Sequence, residues 1–251
     1  MRSERLMYME NYIYEKQTVT LDELCEIFHV SKNTVRRDIE QIVESTNIKK
    51  TYGGVTIDTA IKKEILSFEE RTIRNAKIKQ KIAEKASRFI EDGDIIFLDS
   101  GTTISPIIPS IKHKNVTILT NNLPAIIAAA PYENLNIITL SGTLRRKTLS
   151  FTGISATDIL KTYNITKAFM ASTGISISGA TNFSPDETCI KRMAIERSTL
   201  RYLLVDHTKY NVNSLLTFCH LPELNAIISD ELPPDDILEV LTANNVKMII
   251  D

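Results

Sequence analysis

Cysteine, glycine, long apolar runs and net charge are all in short supply in this chain of 251 residues. The three cysteines, Cys25, Cys189 and Cys219, are odd in number, far apart and without C-x-x-C spacing. That argues against a disulfide framework or a cysteine zinc site and for a reducing, cytoplasmic compartment. His29, His113, His207 and His220 are equally scattered. Cys25 and His29 stand four apart, but two groups do not complete a metal site, so no metal is expected. No stretch of eighteen apolar residues and no charged-then-apolar N-terminus occurs, so neither a membrane span nor a secretory signal is expected. Only eight glycines are present, none arranged as G-x-G-x-x-G or G-x-x-x-x-G-K-[ST]. A nucleotide cofactor is therefore disfavoured, and no cofactor is expected.

The remaining composition, 43% hydrophobic and 24% charged, is that of a globular protein long enough to bury two cores. A net charge of −1 offers no general attraction for nucleic acid, so its distribution matters more than its sum. Up to Phe28 acidic residues outnumber basic ones. From His29 to Ile57 the balance reverses, with Lys32, Arg36, Arg37, Lys49 and Lys50 against Asp38, Glu40 and Glu44. The positive charge gathers in one short segment.

That segment lies in a helical pattern. Leu6, Met9 and Ile13 recur at helix spacing over Arg5 to Tyr14. Thr20, with Glu23 reaching back, caps a second predicted helix whose inner stripe is Leu21, Leu24, Ile27 and Phe28. Ser31 caps a third, with Val35, Ile39, Ile42 and Val43 inside and Asn33, Arg37, Glu40 and Gln41 outside. Thr34 and Arg36 flank that outer face. Two short helices joined by a tight turn form helix-turn-helix spacing. Ile48 to Tyr52, a Gly53-Gly54 turn and Val55 to Ile57 then predict a hairpin, a wing. A helical domain with a merely solvated charged face fits the same pattern. The coincidence of parts favours DNA: Ser31, Lys32, Asn33, Thr34, Arg36 and Arg37 sit where a recognition helix enters the major groove. Arginine pairs with guanine and asparagine with adenine, while Lys49, Lys50 and Tyr52 on the wing reach the backbone.

The run L-D-E-L-C-E-I-F-H-V-S-K-N-T-V-R-R-D-I, followed by Y-G-G-V, resembles the DNA-binding domain of the DeoR family of bacterial repressors. Tyr52 stands where many members have histidine, which bears on one wing contact only.

Residues 58–76 alternate charge with apolar positions, lack Gly and Pro, and are expected to form a partly helical, packed linker between domains at 1–57 and 77–251. Lys77 to Glu91 predicts an amphipathic helix. Beyond it, β-branched runs at Asp94 to Leu98, Val116 to Leu119, Leu135 to Leu140, Lys167 to Ala171, Arg201 to Val205, Ala226 to Ile228 and Val246 to Ile250 alternate with helices. They predict an α/β domain with a mainly parallel sheet covered on both faces. Pro106 and Pro109 shorten or kink the helix after the first of these strands.

Ligands of such sheets bind beyond the carboxyl ends of the strands. Those ends read Asp99-Ser100-Gly101-Thr102-Thr103, Thr120-Asn121-Asn122, Ser141-Gly142-Thr143 with Arg145, Arg146 and Lys147 after it, Ser172-Thr173-Gly174, and Asp206-His207-Thr208-Lys209. The first places glycine and hydroxyls at an expected helix N-terminus, a favourable setting for an anion. Singly each is an ordinary turn; together they favour a polar, anionic ligand.

D-S-G-T-T, T-N-N, S-G-T, F-T-G ending at Gly153, K-A-F-M-A-S-T-G, Glu187 with Lys191, and D-H-T-K continue the resemblance in order, across nearly the whole chain. The resemblance implies a sensor domain similar to ribose-5-phosphate isomerase. It further implies a phosphorylated sugar or sugar-acid effector that releases operator DNA, held by Asp99 to Thr103 with Asn121, Gly142, Lys191, Asp206 and Lys209 nearby. Ser141, Arg145, Lys147, Gly153, Thr173 and Glu187 complete the expected set, although Glu187 and Lys191, four apart, fit a surface ion pair equally well. The chain is expected to act as a dimer or tetramer. Two alternatives stand beside a repressor. One is an active sugar-phosphate isomerase or deaminase joined to a DNA-binding domain: the loop after the fourth strand offers no carboxylate for proton transfer, which leaves Asp99 and Asp206 to substitute. The other is an activator.

Overall fold

The computed structural model describes residues 2–45, 48–57 and 66–250, which divide into two compact units meeting in sequence at Leu66 and Ser67. In the first, α1 (Arg2–Lys16), β1 (Thr18–Thr20), α2 (Leu21–Phe28), α3 (Lys32–Ser45), β2 (Ile48–Thr51) and β3 (Gly54–Ile57) form a winged helix-turn-helix. Met9, Ile13, Val19, Leu24, Val35, Ile39, Ile42, Ile48 and Val55 make its core. The side chain of Thr20 accepts from Glu23 N at 3.2 Å, as expected, while the Glu23 carboxylate accepts from the Tyr12 hydroxyl at 2.7 Å. His29, in the left-handed region at φ 52°, ends α2, and Ser31 Oγ accepts from Thr34 N to start α3 two residues on. The buried Asp38 carboxylate accepts from Arg5 Nε at 2.8 Å and ties α3 to α1.

The wing differs from expectation by one residue. Thr51 pairs with Gly54, so the turn is Tyr52-Gly53 and Gly54 belongs to β3. Gly53 takes φ +88°, and a Cβ on Gly54 would stand 2.2 Å from the Val19 carbonyl oxygen. That close approach exists because β1, a strand missed in the sequence, pairs with β3 in the order β1-β3-β2.

The second unit opens with α4 (Phe68–Ile73) and α5 (Ala76–Ser87). Ser67 and Glu70 form a reciprocal capping box at the start of α4. Of the expected linker, 58–65 lies outside the described residues, and from Ser67 onward it belongs to this unit. α5 stops at Ser87, short of the expected Glu91. There follow β4 (Ile95–Leu98), α6 (Ile107–Ile111), β5 (Val116–Thr120), α7 (Leu123–Ala129), β6 (Leu135–Thr139), the hairpin β7 (Thr143–Arg145) and β8 (Ser150–Thr152), α8 (Ile154–Leu160) and β9 (Ile165–Ala171). The chain ends with β10 (Gly174–Ser176), β11 (Gly179–Asn182), α9 (Pro185–Arg197), β12 (Ser198–Leu204), β13 (Leu216–Cys219), β14 (Ala226–Ile228), α10 (Asp235–Ala243) and β15 (Lys247–Ile249).

Seven of these strands form one sheet in the order β15-β14-β12-β9-β4-β5-β6, every neighbouring pair parallel. Successive side chains alternate between two cores: Ile96 and Leu98 face α5, α6 and α7, whereas Phe97 faces α8, α9 and α10. Two small antiparallel sheets, β7-β8 and β10-β11-β13, were not expected. Their strands follow β6, β9 and β12, where short runs with turn residues gave no clear period. Because the sheet is parallel, the ends of β4, β5, β6, β9 and β12 share one edge. The strand order reverses between β4 and β9, the switch point at which such sheets open a crevice.

Candidate functional site

On α3 the inward face is spent on the core, leaving Lys32, Asn33, Arg36 and Arg37 exposed. Ser31 and Thr34 bond to each other and fix the helix start. Lys32 pairs with Asp22 of α2 at 2.5 Å, and Lys50 of β2 with Glu40 of α3 at 3.3 Å. Lys49 is exposed on the same strand, and Tyr52 stands fully in solvent at the wing tip. The arrangement presents two guanidinium groups and an amide along one helix with a basic strand beside it, the donor set that reads base edges and phosphates.

In the second unit the switch point is occupied by charge. Asp99 follows β4 and is 1% exposed; its Oδ2 accepts from Ala171 N, at the end of β9, at 2.8 Å and from Lys191 Nζ of α9. Lys191 also donates to the Ala171 carbonyl at 3.0 Å. Glu187, one turn earlier on α9, accepts from Ser150 Oγ of β8 at 2.6 Å and from Asn182 Nδ2 of β11 at 3.4 Å. Asn182 in turn accepts from Thr173 Oγ1 at 3.1 Å. Asn121, after β5, donates to the Phe151 carbonyl, and Asn122 donates to the Asp99 carbonyl at 2.9 Å. Glu187 and Lys191 are thus no surface ion pair: both are buried, and each is matched to partners on other elements.

The loop after β4 also differs from expectation. Ser100, Thr102 and Thr103 are buried, but residues 101–106 form successive turns, and α6 begins only at Ile107. The expected helix N-terminus beside these hydroxyls is absent among the described residues, since Pro106 and Pro109 leave room for a helix of five residues only. A Cβ on Gly101 would meet that of Ala171 at 2.2 Å, so this glycine lets the loop lie against the end of β9.

The other expected residues lie further out. Ser141 and Gly142 are exposed before β7, and Gly153 joins β8 to α8. Arg145, Arg146 and Lys147 are exposed on the β7-β8 hairpin, with Arg145 donating to Asp186 and, at 3.1 Å, to Thr152 Oγ1. After β12, Asp206 accepts from Asn75 Nδ2 at 3.3 Å and from the Thr208 backbone and hydroxyl. Burial alone would raise the Asp206 carboxyl, but Lys209, Thr208 and Lys79 outweigh it and hold the pKa below its usual range. His207 Nδ1 lies 2.6 Å from Asp230 and 3.7 Å from Glu231, the one grouping of metal-ligand type among the described residues.

Two cations on the first helices, Lys79 buried and Arg71 half-buried, escaped the sequence reading. Lys79 of α5 donates to the Arg71 carbonyl, and burial pushes its pKa down to about 8 against the pull of Asp206. Arg71 of α4 has Nε and Nη2 buried without a hydrogen-bond partner, and desolvation lowers its pKa within the field of Glu187 and Asp99. The signal was S-x-x-E at Ser67 to Glu70. As a helix start it puts Phe68 and Arg71, three apart, on one face.

A helix-turn-helix whose third helix exposes two arginines and an asparagine on one unit, and a buried polar site at a sheet switch point on the other, fit a transcription regulator that couples DNA binding to a small ligand. The chain belongs to the DeoR family: residues 5–60 match the DeoR-like helix-turn-helix domain and 74–231 the DeoR C-terminal sensor domain. It is 46% identical over 238 residues to the HTH-type transcriptional regulator IolR of Bacillus subtilis, covering 94% of each chain. It is 30% identical over 231 residues to the lactose phosphotransferase system repressor of Staphylococcus aureus, covering 91% of this chain and 92% of the other. Among solved structures, ribose 5-phosphate isomerase A of Methanocaldococcus jannaschii matches with TM-score 0.39 and 19% identity over 54% of each chain.

Proposed function

We propose that this protein represses a carbohydrate-catabolism operon and that a phosphorylated sugar or sugar acid, bound at the β4-β9 switch point, releases it from operator DNA. The observation that carries the reading is the 46% identity to the HTH-type transcriptional regulator IolR of Bacillus subtilis over 94% of both chains. The stretches T-I-L-T-N, R-K-T-L-S-F and Y-N-I-T-K-A-F-M resemble the repressor of myo-inositol catabolism in Gram-positive bacteria. They favour a phosphorylated keto-sugar acid from inositol breakdown as the inducer. DNA contacts fall to Ser31, Lys32, Asn33, Thr34, Arg36 and Arg37, with Lys49, Lys50 and Tyr52 on the wing. Effector contacts fall to Asp99 through Thr103, Asn121, Thr173, Glu187 and Lys191, with Asp206 and Lys209 at the neighbouring strand end.

The chain acts as a regulator without turnover. The loop after β9 holds no carboxylate for proton transfer, and Oδ2 of Asp99 accepts from Lys191 and the Ala171 amide. No helix among the described residues is long and apolar enough to cross a membrane, consistent with a cytoplasmic regulator.

Gel-shift titration tests the reading: the inositol-derived acid phosphate is expected to release operator DNA at lower concentration than fructose 1-phosphate. Equal or better release by the neutral sugar phosphate removes the inositol assignment. Conversion of any sugar phosphate by the purified protein removes the reading of a regulator without turnover.

A further inference from the structure

α4 is short, yet its orientation is fixed at both ends. Ser67 and Glu70 close its start, and Asn75, in the left-handed region at φ 53°, separates it from α5 while donating to Asp206 at 3.3 Å. Phe68 is buried, and the Arg71 guanidinium lies 5.6 Å from its ring. Arginine stays protonated and presents a fork of N–H donors, so a buried guanidinium with Nε and Nη2 unpaired is unfavourable in the free protein. The acids whose field reaches it do not hydrogen-bond it: Asp99 pairs with Lys191, and Glu187 accepts from the neutral Ser150 and Asn182.

Further buried polar atoms of this unit lack partners among the described residues. They are Asp99 Oδ1 after β4, Asn121 Oδ1 after β5, Ser172 Oγ after β9 and Thr188 Oγ1 beside Glu187 on α9. Since β9, β4 and β5 are adjacent, three of these sit at neighbouring strand ends. One cationic fork, two acceptors and two hydroxyls complement a polyhydroxylated molecule with an acidic group. Its hydroxyls would donate to Asp99 and Asn121, and its anion would take the fork.

We propose that Arg71 binds the anionic group of the effector. The proposal rests on the effector reading of the switch point given above and moves the anion from the 100–103 loop to α4. A guanidinium suits phosphate or carboxylate because two parallel N–H donors meet two oxygens. α4 is also the first helix after the DNA-binding unit ends at Leu66, so an effector held by Arg71 engages the point where the chain enters the sensor.

The test uses full-length protein, Arg71→Gln and Arg71→Lys, with inorganic phosphate and 6-phosphogluconate as probes in thermal-shift and calorimetric titrations at constant ionic strength. The free Arg71→Gln protein is expected to melt no lower than wild type and to hold operator DNA with unchanged affinity, because its buried Nε and Nη2 have no hydrogen bond to lose and their desolvation offsets the contact with Phe68. Both probes are expected to stabilise wild type and to bind Arg71→Gln at least about thirtyfold more weakly, the effect of truncating one side of a buried charged pair. Arg71→Lys, which keeps the charge but not the fork, is expected to fall between. Equal stabilisation of wild type and Arg71→Gln, no stabilisation of wild type by either probe, or an Arg71→Gln protein melting far below wild type would each overturn the proposal. Loss of phosphate binding without operator release by any phosphorylated sugar acid upholds the anion site and removes the release reading. Release that is unchanged in Arg71→Gln does the reverse.

Discussion

Lys191 and Asp99 hold the centre of the sensor together at side-chain exposures of 5% and 1%. Breaking a buried pair by removing one member leaves the other charge without compensation, so Lys191→Met should cost about 3–5 kcal/mol in urea unfolding. Pairing it with Asp99→Asn should recover part of that loss, because no lone charge then remains. A single-mutant cost below about 1 kcal/mol would mean the pair contributes little. His207 offers a pH-dependent contrast. Burial lowers its pKa, but the hydrogen bond and charge of Asp230, with Glu231 and Asp206, outweigh it, and the pKa lies above the ordinary 6.5. The stabilisation is therefore fully present below about pH 6.5 and is lost as pH rises through the raised folded value. Melting curves across that range should show wild type losing an advantage over Asp230→Asn as pH increases. Parallel curves for the two proteins would contradict it.

At the scale of elements, α3 and the wing divide the labour of DNA binding. Arg37 lies on the exposed centre of α3, so Arg37→Ala is expected to cost about 1–3 kcal/mol on the operator and to relax base preference. Lys49→Ala on β2 should weaken binding to every sequence and reduce the salt slope by about 0.9. Gel-shift titrations at several salt concentrations separate the two effects; operator affinity unchanged in both variants would remove α3 as the recognition helix. α3 was legible because its apolar face repeats at helical spacing. The buried face of α9 was not, because it turns Glu187 and Lys191 inward beside Ile190 and Ala194, so polarity along the helix does not report burial. The wing turn slipped by one residue for a related reason. Gly-Gly suits several turns, and only the pairing of β3 with β1 shows that Gly54 is needed against Val19.

For the whole molecule, one short recognition helix and one wing bury too little surface for tight operator binding alone. The protein is expected to bind repeated half-sites as a dimer or tetramer, associating through its larger second unit. Footprinting combined with mass measurement of the complex checks this, and a single protected half-site with one chain bound would contradict it.

What the sequence determined by itself was periodicity and local chemistry. The β-branched runs became seven parallel strands within a residue or three at each end, because a strand buried on both faces must be apolar throughout. Caps at Thr20 and Ser31 were written in short polar side chains that bond only two or three residues away. Tertiary structure alone decided what depends on chain segments far apart. It brought Asp99 to Lys191 across 92 positions, since a charge buried beside the sheet must find an opposite charge wherever the fold supplies one. It replaced an expected helix N-terminus after β4 with turns packed on Ala171. And it turned Arg71, in sequence one charge among many in a connecting stretch, into a guanidinium whose Nε and Nη2 are buried without a hydrogen-bond partner, because burial is a property of what packs against a residue and not of the residue.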